Sequence, residues 1–150
     1  MNKLSLIIGL IISMIIIVRF KQTRLENSTL SYSLLLFTFP VYYLIFAIYN
    51  KDYEAVAFEV FVGLLFFSIA ILSLNLSTFY RFGLLTIGYL LHGVYDVTHN
   101  EIFINTGTPL WWPEFCGVID IFIGLYLAYL TFNSRTLDST LAAVRKNQQE

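Results

Sequence analysis

Five long apolar runs, separated by short polar ones, dominate the pattern along this chain. A helix needs about 20 mainly apolar residues to cross roughly 30 Å of hydrocarbon. The runs at residues 4–18, 30–49, 55–74, 82–97 and 110–132 approach or meet that length. The first is followed by Arg19 and Lys21, and the second is interrupted only by Pro40. The third holds Glu59, the fourth His92 and Asp96, and the fifth Glu114 and Asp120. The first run is short enough to be the apolar part of a signal peptide, but no small-residue cleavage site follows it, so it reads as a retained helix. A polar tail begins at residue 133, and residues 137–146 within it suit a short surface helix. Nothing along the chain resembles a linker, a repeat or a low-complexity tract. The pattern predicts an all-α membrane protein, one polytopic domain over residues 1–150. It would form a compact bundle of about five transmembrane helices with a short cytoplasmic tail at 133–150.

Composition agrees. Of 150 residues 57% are hydrophobic and 13% charged, well outside the range of soluble domains, so lipid bilayer is the expected surrounding of most of the chain. A net charge of −1 and the lack of any Lys/Arg-rich stretch argue against nucleic acid as a partner. The single cysteine, Cys116, rules out an internal disulfide and any Cys-pair metal motif. Loop charge sets orientation, because Lys and Arg are retained on the cytoplasmic side. Five alternating spans collect Lys3 and Lys51 on one side. Arg19, Lys21, Arg24, Arg81, Arg135, Arg145 and Lys146 fall on the other. The N-terminus is therefore expected outside, the C-terminus in the cytoplasm, and the chain in a cell membrane as a multi-pass protein.

Ionisable residues inside spans are costly and mark function by default. At about 1.5 Å per residue, Glu59 lies roughly 6 to 8 Å below the outer boundary, His92 about 9 Å and Asp120 about 13 Å deep, with Asp96 nearer the surface. His92, Asp96 and His99 recur at helical spacing and share one face. On the fifth span Pro113, Cys116, Asp120, Gly124 and Leu127 share another, and Cys116, Gly117 and Gly124 are small enough for a neighbouring helix to come close. The fourth and fifth spans are joined by a short outer loop, so His92 faces the depth of Asp120 and Asp96 that of Cys116. A shared pocket follows.

No Lys or Arg lies deep in these three spans, so the carboxylates must take up protons, pair with protonated histidine or hold a metal ion. His92, Asp96, Asp120 and Glu59 are the candidate catalytic residues. His92, Asp96, His99 and Asp120 are the candidate ligands of a divalent metal, for which the donor types suit Zn, Mn or non-haem Fe. His99 and Glu101 lie near a membrane surface, where polar residues are ordinary, and Glu114 after Pro113 suits a helix first turn. Trp111, Trp112, Tyr42, Tyr43, Tyr49 and Tyr53 read as an aromatic belt at the outer interface, and Cys116 as a packing residue.

The stretch from Tyr80-Arg81-Phe82 through Gly88-Tyr89-Leu90-Leu91-His92, Tyr95-Asp96 and His99-Asn100, followed by Cys116 and Asp120, resembles an uncharacterised family of small bacterial integral-membrane proteins. That family's pattern is a Gly-aromatic-Leu-Leu-His run, an aromatic-Asp pair, a His-His pair and a later Cys–Asp element, and the match covers about residues 80–125. Tyr95 stands where the family has tryptophan, and Asn100 where it has a second histidine. The resemblance implies that His92, Asp96, His99 and Asp120 act as a unit, in a bacterial inner membrane, and it carries no activity.

The leading expectation is an enzyme acting on a lipid or other hydrophobic substrate that enters from the outer leaflet, by acid–base or metal-assisted chemistry. The alternatives are a non-catalytic accessory or assembly protein, whose polar cluster specifies packing, and a proton or metal-ion transporter. For transport the inner halves offer only Ser68, Ser73, Asn75, Thr86 and Thr131, and five helices would have to form a homo-oligomer to enclose a pore.

Overall fold

Helix starts are set locally where a side chain can take up free amides. Asn2 Oδ1 accepts from the amides of Leu4 and Ser5 at 3.1 and 3.3 Å and opens α1, Lys3–Gln22. Asp52 Oδ1 accepts from the Ala55 amide at 3.1 Å and opens α3, Tyr53–Ser73. Between them α2 runs Ser31–Tyr49 with Pro40 inside it; α4 spans Thr78–Ile102 and α5 Trp112–Asn147. The computed structural model describes residues 2–147, with side chains through residue 134. Among these residues there are five α-helices, one 3-10 turn at Leu25–Asn27 and no strand, so the all-helical expectation holds.

Four helical segments are long and apolar enough to cross a membrane: Lys3–Gln22, Ser31–Tyr49, Tyr53–Ser73 and Trp112–Ser134. Helix α4 is not among them. Arg81, His92, Asp96, His99, Asn100 and Glu101 dilute its hydropathy, and it packs against α5, α3 and α2. The surface helix expected at 137–146 is instead continuous with α5, and residues 148–150 lie outside the described residues.

Helices alternate in direction. At one end the amide of Asn2 donates to Glu114, and Asn50 Nδ2 donates to Thr106 Oγ1 at 2.6 Å. Near the other end the Ser33 and Ser73 hydroxyls meet at 2.6 Å. The loops around Lys51 and Asn105 therefore share an end, as alternation requires. Large apolar side chains such as Ile7, Leu34, Phe61, Leu91 and Leu125 face outward from every helix. Such a surface is suited to acyl chains rather than water.

Small residues set two close helix approaches. On α1 the buried residues are Ser5, Gly9 and Ser13, and a Cβ on Gly9 would lie 2.7 Å from the Phe115 carbonyl oxygen. Between α4 and α5 a Cβ on Gly93 would come within 3.2 Å of the Gly117 carbonyl oxygen. These backbone-to-backbone contacts are the small-residue packing that helices use where no water drives them together.

Candidate functional site

The buried face of α4 recurs at Arg81, Leu85, Gly88, His92, Tyr95, Asp96 and His99, the 3.6-residue period of one helix stripe. Its histidines and aspartate therefore point into the bundle, where His92, Asp96 and His99 all have zero exposure. Asp120 of α5, also at zero exposure, meets His92 and Asp96 across the Gly93–Gly117 contact.

His92 Nδ1 lies 2.7 Å from Asp120 Oδ2 and 3.3 Å from Asp96 Oδ2. Only the contact with Asp120 has hydrogen-bond geometry. The remaining oxygen of Asp96, Oδ1, accepts from the Tyr43 hydroxyl at 2.7 Å. One ligand-type atom from each of His92, Asp96 and Asp120 falls within 4.8 Å of the others. Neither aspartate has a Lys or Arg partner among the described residues.

A second pair lies one to two turns along α4. His99 Nε2 sits 3.1 Å from Glu59 Oε1 of α3. Asn105 Nδ2, from the α4–α5 loop, donates to the same oxygen at 2.9 Å and to the Tyr43 carbonyl at 3.1 Å. The Tyr95 hydroxyl donates to Glu59 Oε2 at 2.8 Å, and His99 Nδ1 is 3.3 Å from Asn100 Oδ1. Tyr43 joins the two groups: its ring stacks on His99 at 4.5 Å between centroids, and its hydroxyl holds Asp96.

The two groups differ in how completely they are satisfied. Every polar atom of Glu59, His99 and Asn105 has a partner. By contrast His92 Nε2, Asp96 Oδ2 and Asp120 Oδ1 are three of seven buried side-chain atoms without a hydrogen bond among the described residues. Buried polar atoms are nearly always paired, and exceptions call for a functional account. The open chemistry therefore belongs to His92, Asp96 and Asp120, whereas Glu59 and His99 form a closed network that ties the α4–α5 loop to α3. Sequence spacing puts His99 in one ligand set with His92; in three dimensions it turns to Glu59.

The same loop is latched outside the helices. Asp52 Oδ2 accepts from the Thr106 hydroxyl at 2.7 Å and from its amide at 3.3 Å. These donors, with the Ala55 amide, hold the Asp52 carboxyl below its usual range, the Thr106 hydroxyl contributing most. Gly107 completes the fit, since a Cβ there would lie 2.1 Å from the Phe46 carbonyl oxygen.

Tyr43, Tyr95 and Asn105 are not among the site residues that the sequence suggests. In the sequence Tyr43 groups with the interfacial aromatics; Tyr42, Tyr49 and Tyr53 are exposed, whereas Tyr43 is fully buried. The signal lies in the α2 stripe Ser33, Leu36, Pro40, Tyr43 and Ala47, all buried and spaced three or four apart. Glu101 is exposed, as an interfacial residue should be, and Cys116 is buried packing.

An apolar groove of about 600 Å³ between α3 and α4 opens to the outside of the bundle. Phe61, Leu65, Leu91 and Val94 line it, and its inner wall is Phe66 and Tyr95. Phe66 lies edge-on to His92 at 4.6 Å and Tyr95 is 5.9 Å from it, so these two rings separate the groove from the cluster. No protein-family model, curated protein or solved structure matches this chain.

Proposed function

We propose that this chain is a five-span integral-membrane enzyme, N-terminus outside, acting on a lipid or other hydrophobic substrate at a His92–Asp96–Asp120 centre near the extracytoplasmic side. The observation that carries this reading is the set of unsatisfied atoms on a fully buried His/carboxylate cluster. Helix α4 is the fifth span here, its polar stripe turned inward and its outer face, with Ile87, Leu91 and Val94, apolar. An acyl or isoprenoid chain fits the α3/α4 groove in chemistry and in size, since ligand sites fall at roughly 300–1,000 Å³.

The roles follow from hydrogen bonding. With Asp120 accepting from Nδ1–H, the imidazole is held in the tautomer whose Nε2 carries a free lone pair, the arrangement of a general base. Asp96, fixed by the Tyr43 hydroxyl, sits beside the ring and stabilises the imidazolium that forms on proton uptake. Phe66 and Tyr95 must swing aside to admit a substrate, and their position keeps water out when they close. Proton transport is less favoured: toward the opposite end the Tyr89 hydroxyl bonds the Tyr32 carbonyl at 2.8 Å and Ser33 bonds Ser73, which leaves the Tyr32 hydroxyl and Arg81 Nε as the buried side-chain atoms there without a hydrogen bond among the described residues. The complete burial of the cluster is the one observation favouring a purely structural role.

Purified protein in nanodiscs of native lipid extract, followed by mass spectrometry, tests the reading. One lipid species should fall and a product rise with time, and Asp120→Asn should slow this about 100-fold or more, the usual contribution of acid–base groups. Unchanged lipid composition, or an Asp120→Asn variant as fast as the wild type, would overturn it.

A further inference from the structure

Two carboxylates and one imidazole, sealed from water without a Lys or Arg, leave a charge imbalance that a proton on His92 only half corrects. We infer that His92, Asp96 and Asp120 are the protein ligands of one divalent first-row transition metal ion, an assignment that rests on reading this centre as the reactive one. A dication on two aspartates and a neutral imidazole makes the cluster neutral overall, which a low-dielectric interior strongly favours.

Geometry supports the assignment independently. Metal–ligand bonds of about 2.0–2.2 Å at right angles or tetrahedral angles put ligand atoms roughly 3 Å apart. With an ion bound, His92 Nδ1 gives up the hydrogen it shares with Asp120 and serves as a ligand in place of a base, and its contacts with Asp120 Oδ2 and Asp96 Oδ2, 2.7 and 3.3 Å, bracket that spacing. Asp96 Oδ2 has no hydrogen bond to lose, and the unpartnered Asp120 Oδ1 lets that carboxylate bind through either oxygen. Two oxygens and one nitrogen are a hard-to-borderline donor set, suited to Mn, Fe or Zn and ill suited to Cu(I). Three protein ligands leave positions open for a substrate oxygen or water, the arrangement of catalytic rather than structural sites.

Outer partners are also present. The Tyr43 hydroxyl on Asp96 Oδ1, with the Tyr43 ring held against His99, orients a ligand carboxylate as second-layer groups do in metal sites. The closed Glu59–His99–Asn105 network thereby serves the centre through Tyr43, as a positioning unit and not as ligands.

The test is equilibrium dialysis of the detergent-purified wild type against Mn²⁺, anaerobic Fe²⁺ or Zn²⁺ alone, with metal content read by mass spectrometry. One ion per chain is expected for at least one of the three, with near-complete loss in Asp120→Asn and His92→Gln. Tyr43→Phe should weaken binding about 10- to 100-fold, and Glu101→Gln, at an exposed position of the helix that carries His92, should bind the full equivalent. Should the ligand variants fail to fold, Co²⁺ bound to the wild type decides: its spectrum should lack a thiolate charge-transfer band, and such a band would place Cys116 in the shell and overturn the ligand set. A wild type that binds none of the three metals, or an Asp120→Asn variant that binds as well as it does, overturns the proposal. Stoichiometry is read without substrate, so a metal-free wild type leaves the acid–base reading standing. A metal-loaded protein that turns over no lipid overturns that reading and leaves the ion.

Discussion

His92→Leu is expected to destabilise the folded protein by about 3–5 kcal/mol, more than any surface substitution could, because removing one member of a buried ionic group strands the others. Asp120 loses its hydrogen bond to the His92 ring and Asp96 its nearest neutralising neighbour, both at zero exposure. The diagnostic variant is the one that removes the stranded charges as well. His92→Leu combined with Asp96→Asn and Asp120→Asn should recover most of the lost stability while remaining inactive, since the amide oxygen introduced by Asp96→Asn can still accept from the Tyr43 hydroxyl. Thermal melting in detergent measures both. Equal stability of His92→Leu and wild type would mean that the cluster is not dry, and a triple variant weaker than the single would mean that its groups hold the bundle together rather than serve chemistry.

The second large effect is expected at Gly117→Val. A Cβ there would lie 3.2 Å from the Asp96 Cβ, 3.3 Å from the Gly93 carbonyl oxygen and 3.3 Å from Val97 Cγ2, so two backbones and a site residue must give way together. Overpacking of this kind costs about 1–3 kcal/mol. The functional loss should be disproportionate. Shifting α4 from α5 by about 1 Å breaks the 2.7 Å contact of His92 with Asp120, and misplacement on that scale lowers rates on the order of 100-fold. Gly83→Ala is the control, for a Cβ there would meet only Thr131 Cγ2, at an ordinary 3.8 Å. Turnover and metal content should fall with Gly117→Val and survive Gly83→Ala; retention of both in Gly117→Val would sink the view that this helix contact sets the site.

Much of this arrangement is legible in the sequence because it depends on short-range geometry. Apolar run length locates the helix ends to within five residues except at the end of α5, which runs past the apolar stretch to Asn147, and i, i+4 spacing puts His92 and Asp96 together. The short connection between α4 and α5 forces antiparallel depth matching, which brings Asp120 to His92. What depends on helix rotation and loop path is not legible. Glu59 could have faced lipid or core, and only the turn of α3 against α4 gives it to His99. Asn105 lies in a loop whose course no periodicity describes, yet it reaches Glu59 and the Tyr43 carbonyl. Tyr43 misleads because tyrosine near a span end is ordinarily an interfacial anchor. Hydropathy by itself would discard α4, the helix at the centre of the bundle.

The burial of Cys116, the one cysteine in the chain, has a practical corollary for sidedness. A native background without a surface thiol leaves membrane-impermeant maleimides nothing to label in intact cells. A cysteine introduced at exposed Lys51 should then react from outside and one at exposed Lys21 should not, and the reverse pattern would invert the orientation read from loop charge.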